Sequence, residues 1–149
     1  MTPSSKRFIL EQLKAHHNMS LATVRPDGYP QATIVAYAND GLTIYFACER
    51  DSQKVRNLRR SPKVSLTVSR DWAGWKKITG LSMGGNARIL ERETDRARAY
   101  AALARKFKTM KGLSAEDVAA TAFVRVQPNV VSMLDYRRGF GWTKLVRVS

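Results

Sequence analysis

The residues best suited to bind a phosphorylated ligand lie directly after a β-patterned segment. Asp51 or Ser52 can cap a helix there, and Lys54 falls in the first turn of that helix. The first N–H groups of a helix lack intrahelical acceptors, and the helix dipole favours an anion at this end. The spacing therefore favours a phosphate site. The same residues could instead only cap and solvate a surface helix, and the spacing alone leaves both interpretations open.

Other reactive residue types do not form a catalytic pattern. Cys48 is the one cysteine and stands at a predicted strand end, which is typical of a small packing residue, and it allows no internal disulfide. His16 and His17 are adjacent, so on a helix they point in different directions and do not favour a shared metal. No carboxylate pair and no nucleophile–His–acid set is evident. We expect no catalytic side chain, no metal site and, by default, a cytoplasmic protein.

Three short strands and a helix carry the predicted phosphate site. β-branched and small apolar residues alternate in these segments, and Asp-Gly pairs separate them, which predicts two hairpins. The strands are Ser20–Val24, Ala32–Ala38 and Leu42–Ala47. After the helix, Pro62 precedes a fourth alternating segment, Lys63–Val68. The chain thus folds back on itself repeatedly before and after the helix.

The remaining sequence predicts further helices and strands. A helix is expected over Pro3–His17, capped by Ser4 or Ser5, with an apolar stripe of Phe8, Ile9, Gln12 and Leu13. A strand over Lys77–Leu90 should be bulged at Gly84-Gly85. A helix over Glu93–Met110 should bury Ala97, Tyr100, Ala101, Ala104 and Phe107. A short helix over Ser114–Ala120 and strands over Phe123–Gln127, Val130–Tyr136 and Trp142–Val148 complete the expectation.

Strands outnumber helices, which predicts a mainly β fold. About seven strands with one crossover helix favour a closed or nearly closed antiparallel barrel with peripheral helices, because closure removes exposed strand edges. The length of 149 residues fits a single domain, residues 1–149. The Gly-x-Gly-x-x-Gly and Gly-x-x-x-x-Gly-Lys-Ser/Thr patterns of two common nucleotide-binding folds do not occur in the sequence.

The net charge of +14 suggests an anionic partner. Nucleic acid gains affinity from clustered Lys and Arg, but the basic residues are dispersed along the chain and no helix-turn-helix, zinc-ligand or aromatic RNA-binding motif is present. Solubility or a small anionic ligand is therefore favoured over nucleic acid. The sequence contains no long apolar run, so no membrane span is predicted.

The order of three segments resembles the pyridoxamine 5'-phosphate oxidase-like family of split β-barrel flavoproteins. They are LATVRPDGYPQATIV, LTIYFACERDSQKVRNLRRSPKVSLTV and GGNARIL. The resemblance implies an antiparallel split barrel with Greek-key-like connections and a homodimer that binds FMN in clefts between subunits. The chain ends DYRRGFGWTKLVRVS, without the Arg-Leu-His-Asp-Arg type segment of the true oxidases, and it has no matching glutamine near Thr79-Gly80. Vitamin B6 oxidation is therefore not expected.

The resemblance also implies the cofactor-binding residues. It places Thr33, Ile34, Val35 and Ala36 beside the flavin ring, Ala47 and Cys48 near the cofactor, and Ser52, Gln53 and Lys54 around the phosphate. The implied activity is that of an FMN-dependent oxidoreductase acting on an unknown small molecule, with the flavin carrying the chemistry. The alternatives are the deazaflavin F420, whose acidic tail suits a basic protein, a haem-binding split barrel, and a nonenzymatic nucleic-acid-binding module.

Overall fold

The computed structural model describes residues 1–148, which form seven strands and four α-helices. The strands are β1 (Asn18–Val24), β2 (Pro30–Asp40), β3 (Thr43–Glu49), β4 (Lys63–Val68), β5 (Thr79–Ile89), β6 (Thr121–Asp135) and β7 (Thr143–Arg147). The helices are α1 (Pro3–Ala15), α2 (Gln53–Arg60), α3 (Glu93–Lys106) and α4 (Ala115–Ala120). Most predicted elements are present, with boundaries shifted by a few residues.

Six of the strands close into an antiparallel barrel. The sheet order is β3-β2-β1-β4-β5-β6-β7, and a further pairing of β3 with β6 closes the ring. The last strand, β7, pairs only with the second half of β6 and extends the sheet outside the ring. The predicted mainly β fold, a barrel with peripheral helices, is confirmed.

Helices α1 and α2 cover opposite ends of the barrel. At one end, Ile9 and Leu13 of α1 are fully buried, and the Tyr37 hydroxyl donates to Leu13 O at 2.8 Å. At the other end, α2 buries Val55 and Leu58 among the strand ends. The two helices meet opposite ends of β2, about 20 Å apart at the usual rise per residue. The alternating inward side chains between them form the main core.

The cap of α2 agrees with the prediction, and the cap of α1 does not. Ser52 caps α2, as predicted, but Thr2 rather than Ser4 or Ser5 caps α1, accepting from Ser5 N at 3.2 Å. Pro3 then occupies the first helical position, where its missing N–H costs nothing. Helix α1 also ends at Ala15, because the next residue has extended backbone leading into β1.

Helix α3 packs through a face that only partly matches the prediction, since Ala104 is buried and Tyr100 and Phe107 pack against the second core cluster. Its buried residues are Ala99, Ala102, Leu103 and Ala104, whereas Ala97 and Ala101 are exposed. Alanines occur on nearly every side of this helix, so the spacing of apolar residues did not determine which face packs against the barrel. Leu103 is its one large buried side chain, and it packs in a second core cluster that includes Tyr45 and Phe123. The helix ends at Lys106, and 3₁₀ turns follow to Gly112.

Strand β6 is continuous, where the sequence predicted two strands broken at Pro128. The proline lies opposite Gly85, where the β5–β6 register shifts by a bulge. A bulge tolerates the missing N–H of proline, so the strand runs through it. A Cβ on Gly85 would lie 2.5 Å from Gln127 O, so only glycine fits this close approach. The predicted bulge at Gly84-Gly85 is confirmed.

The end of β6 is held by a buried carboxylate. Asp135 is 3% exposed and accepts from Arg137 Nε at 2.6 Å and Arg138 Nε at 3.3 Å. The hydrogen bond from Arg137, working against burial, holds the pKa of Asp135 below its usual value. The carboxylate therefore stabilises the fold above the unfolded-state pKa of about 4, and this contribution is lost as pH falls through the lower folded-state pKa.

Replacing Asp135 with asparagine should lower the free energy of unfolding at neutral pH and flatten its decline on acidification. Urea titrations from about pH 7 down to pH 2 measure both effects. Asp27→Asn is the matched control, since its ion pair with Arg25 is about half exposed and contributes little. Acid profiles of Asp135→Asn and the parent that run parallel would contradict this assignment.

Within residues 1–148, no helix combines the length and apolar character needed to cross a lipid bilayer.

Candidate functional site

The N-terminus of α2 presents two free backbone donors. Ser52 O accepts from the N–H groups of Val55 and Arg56 at 3.1 and 3.2 Å, and Ser52 Oγ also accepts from Val55 N at 3.4 Å. The N–H groups of Gln53 and Lys54 belong to the same first turn and find no acceptor in the described residues. Two adjacent free donors at a positive helix end can bind an anion.

The side chain of Lys54 adds a positive charge to the N-terminus of α2. Its half-buried side chain makes no ion pair within residues 1–148, so the ammonium is available to an anion. The Gln53 side chain is already engaged, because its Nε2 donates to Asn57 Oδ1 at 2.9 Å and its Oε1 accepts from Arg56 Nη2 at 3.0 Å. Gln53 therefore offers its backbone N–H, and Lys54 offers both N–H and charge.

A buried asparagine fixes α2 against the barrel. Asn57 is fully buried, and its Nδ2 donates to Thr23 Oγ1 at 2.9 Å and to Gln31 Oε1 at 3.0 Å. Thr23 and Gln31 are direct cross-strand partners on β1 and β2. The chain of hydrogen bonds from Gln53 through Asn57 to the two strands thus positions the helix N-terminus relative to β2.

A polar pocket lies between this helix end and the β1–β2 turn. Its volume is about 460 Å³, and its walls are Arg25, Pro26, Asp27, Gln31 and Gln53. The turn is held by Asp27, which accepts from Arg25 Nη2 at 2.6 Å and from Tyr29 N at 3.2 Å. The pocket therefore places polar groups directly beside the N-terminus of α2.

The neighbouring half of β2 has an open backbone edge. Strand β3 pairs with β2 only from Tyr37 onward, so Pro30–Ala36 pair with β1 on one side alone. Tyr37 N donates to His17 O on the β1 side, and alternation therefore points the backbone groups of Ile34 and Ala36 toward the open edge. No strand among the described residues covers this edge. It can hydrogen-bond to a planar ligand.

The four predicted ring-flanking residues are thus adjacent but not equivalent. Ile34 is 74% exposed and Ala36 is exposed, whereas Val35 packs into the main core and Thr33 is half-buried. The backbone groups of Thr33 and Val35 face β1 by the same alternation. Ile34 and Ala36 are therefore the two that can meet a ligand through both backbone and side chain.

The two predicted residues of β3 point to opposite sides. Cys48 packs against the main core, and Ser52 Oγ donates to its Sγ at 3.7 Å, which joins it to the α2 cap. Ala47 packs in the second cluster beneath α3, so its side chain is not brought to the helix terminus. Burial raises the pKa of the Cys48 thiol despite the Ser52 hydrogen bond and nearby Lys54. Cys48 is a neutral packing thiol at neutral pH.

Sequence reasoning missed four residues of the site, Thr23, Arg25, Gln31 and Asn57. Asn57 lies in the second family-like segment, in SQKVRNL, but the resemblance gave it no role. Thr23 is a buried polar residue in a strand whose other inward positions are apolar, and such an exception signals a buried hydrogen bond. The cross-strand pairing that brings Gln31 to Thr23 could not be read without the fold.

The two histidines are separate, as predicted. His16 is buried, with Nδ1 2.7 Å from Gln12 O, while His17 is exposed and lies edge-on to Phe107. They lie beside the start of β1, about 17 Å from the α2 end at the strand rise per residue. In the described part of the chain, no group of three or more His, Cys, Asp or Glu side chains could hold a metal.

Comparisons with known proteins agree with this architecture. General stress protein 26 of Bacillus subtilis (strain 168) is 31% identical over 84 residues, which are 56% of this chain and only 59% of that protein. A heme binding protein from Mycobacterium smegmatis superposes with a TM-score of 0.79 and 20% identity over 99% of this chain and 59% of its own. General Stress Protein 26 from Bacillus anthracis str. Sterne superposes with a TM-score of 0.72 and 20% identity, over 97% of this chain and 98% of its own. Both structures share the fold.

The family follows from a match that spans most of the chain. The sequence profile described as pyridoxamine 5'-phosphate oxidase covers residues 5–135, from α1 to the end of β6. This range contains every barrel strand, the capped α2 and the open edge of β2. The chain belongs to the pyridoxamine 5'-phosphate oxidase family.

Proposed function

We propose that this protein binds FMN as a homodimer and acts as an FMN-dependent oxidoreductase on a small molecule. The observation that carries the proposal is the pair of free N–H groups on Gln53 and Lys54, at a helix terminus where Gln53 lines a polar pocket and Lys54 adds a positive charge. Such a helix terminus favours a phosphate dianion. The family match supports the same cofactor class.

Three regions of the chain fit the three parts of FMN, which are the phosphate, the ribityl chain and the ring. The α2 terminus with Ser52, Gln53 and Lys54 would hold the phosphate, because its free N–H groups can donate to phosphate oxygens. The pocket beside it, walled by Arg25 and Gln31, offers polar groups to the ribityl hydroxyls. The open edge at Ile34 and Ala36 offers backbone donors and acceptors to the polar rim of a flat ring.

Bound FMN would supply the hydride or electron transfer, and the chain would bind and orient it. The polypeptide itself offers no reactive group at this place, because Cys48 is a half-buried thiol with a raised pKa and Ser52 is occupied as a helix cap. Oxidation and reduction of a small molecule is therefore the activity that suits the site. The pocket walls and the subunit opposite Ile34 would exclude water and select the substrate.

A charge-free face supports the homodimer. Two copies that each carry +14 repel one another and can associate closely only through a neutral surface. Part of the outer face of β2, β1, β4 and β5 supplies it, away from Lys63 and Arg88, because the outward residues that pair there carry no charge. These outward residues are Ala32, Ile34, Ser20, Ala22, Thr67, Ser65, Ser82 and Gly84. Ile34 belongs to both this face and the open edge, so a partner seated here would also border the flavin site.

Replacing Ile34 with aspartate should therefore convert the dimer to a monomer. A buried, unpaired charge at a dimer interface is costly, and a symmetric dimer would bury two of them. Sedimentation velocity should show twice the chain mass of 16.8 kDa for the parent and a single chain for the variant. Leu113→Asp, a 37% exposed leucine outside this face, should stay dimeric. A parent that sediments as a monomer would contradict the dimer.

Titrations with FMN, deazaflavin F420 and haem discriminate the cofactors. The positive charge also suits the acidic tail of F420, and one structural neighbour is a heme binding protein, which makes both necessary competitors. We expect saturable FMN binding at one per chain and weaker binding of the other two. The histidines lie at the far end of β1, so a haem ligand is not near α2. A Soret shift on haem addition without FMN uptake would overturn the proposal.

A further inference from the structure

Basic residues that are dispersed in the sequence meet on one outer face of the barrel. Lys63 begins β4, Arg88 lies near the end of β5, and Arg125 lies in the first half of β6. Their neighbours Val64, Ala87 and Val126 are buried, so alternation turns the three basic side chains outward. We refer to Lys63, Arg88 and Arg125 as the basic face.

The register places two arginines directly opposite each other. Arg88 pairs with Arg125 across β5 and β6, and Lys63 pairs with Asn86, two residues before Arg88 on the same face. Like charges in direct cross-strand contact destabilise a sheet. None of the three ion pairs found in residues 1–148 involves these residues. The arrangement therefore carries an electrostatic cost that a bound anion would remove.

Hydrogen-bonding groups surround the basic face. Asn86 and Gln127 are exposed cross-strand partners in the next row, and Thr43 Oγ1 donates to Gln127 Oε1 at 3.2 Å, a bond that does not use the Gln127 amide N–H groups. Arg59 and Arg60 at the end of α2 precede Lys63 and are exposed. Three strands alone give a face about 10 Å wide, which exceeds a single phosphate group.

We infer that the basic face binds the phosphate backbone of duplex nucleic acid without sequence specificity. Lys and Arg gain such affinity by releasing condensed counterions, and amide side chains also contact phosphate oxygens. The large exposed apolar side chains all lie elsewhere in the described structure, at positions 1, 24, 29, 34, 75, 113, 140 and 145. The face therefore lacks the aromatic platform that stacks single-stranded bases and the apolar surface that inserts into a lipid membrane.

This surface is separate from the proposed flavin site. The free N–H groups that form the phosphate site belong to Gln53 and Lys54, whereas Arg59 and Arg60 stand at the opposite end of α2. The charge-free face and the basic face occupy different parts of β5, around Ser82 and Arg88. Nucleic-acid binding is thus compatible with a flavin-loaded dimer.

The test is fluorescence anisotropy of the full-length parent with a labelled 20-base-pair DNA duplex at several salt concentrations. With three to five phosphate contacts, the slope of log K against log salt should be about −3 to −4.5. Arg88→Gln combined with Arg125→Gln should make that slope shallower by about 1.8 and weaken binding at least tenfold at low salt. Lys6→Gln with Arg7→Gln removes two exposed charges from α1 and should retain binding within about twofold.

Two further readouts make the outcome decisive. The Arg88→Gln, Arg125→Gln variant should melt no lower than the parent, because a repulsive pair is lost, and its FMN affinity should be unchanged. Equal losses of DNA binding in this variant and the α1 variant would overturn the inference, since the effect would then reflect net charge alone. Binding to anionic phosphatidylserine vesicles without binding to the duplex would overturn it as well.

Discussion

Replacing Lys54 with alanine is expected to weaken FMN binding by about 10- to 150-fold. The substitution removes a charge-assisted contact to the phosphate worth about 1.5–3 kcal/mol, while the free N–H groups of Gln53 and residue 54 remain. The half-buried Lys54 side chain has no ion pair within the described chain, so the substitution breaks no salt bridge of the fold. Isothermal titration calorimetry of the apoprotein with FMN measures the change.

Riboflavin separates the phosphate contact from the ring contacts. It lacks the phosphate, so the parent should bind it far more weakly than FMN, and Lys54→Ala should leave riboflavin affinity nearly unchanged. Lys63→Ala removes one exposed lysine from β4 and serves as the matched control for net charge. Equal losses of FMN affinity in Lys54→Ala and Lys63→Ala would show that Lys54 has no specific role.

Replacing Asn57 with alanine should destabilise the fold by about 2–4 kcal/mol. The buried amide joins Gln53, Thr23 and Gln31, and its loss leaves these polar groups without partners around a cavity. The midpoint of thermal unfolding should fall by about 5–15 °C for a chain of this length. Differential scanning calorimetry measures the change.

The same substitution should release α2 from the strands, so FMN affinity should fall even where the variant is folded. Asn39→Ala is the control, because Asn39 donates only to Gly41 O within an exposed hairpin turn. It should change stability by less than about 0.5 kcal/mol. An Asn57→Ala variant as stable as Asn39→Ala would contradict the anchoring role of Asn57.

Local interactions explain which parts of the fold were predictable. The Ser52 cap and the hairpins at Asp27-Gly28 and Asp40-Gly41 each depend on residues close in sequence, and the adjacent glycines Gly84-Gly85 indicated the bulge although β6 forms its other side. The face of α3 and the continuity of β6 through Pro128 depend on tertiary contacts. Leu103 fixes the first by packing with Phe123, and the bulge opposite Gly85 permits the second.

The candidate site divides in the same way. Ser52, Gln53 and Lys54 were predictable because one helix start contains all three. Asn57, Thr23 and Gln31 come from different elements and meet only when α2 closes the barrel end. The pairing of Arg88 with Arg125 is likewise set by register, and dispersed positions in the sequence gave no sign of it.

The central claim is that the α2 terminus binds the phosphate of a flavin. The most direct measurement is the absorption spectrum of the purified protein, with heat release of any chromophore and its identification by mass. We predict flavin bands and release of FMN at up to one per chain, restored to one per chain when FMN is added to depleted protein. A colourless protein that takes up no FMN, or one that takes up FMN and riboflavin equally well, would contradict the claim.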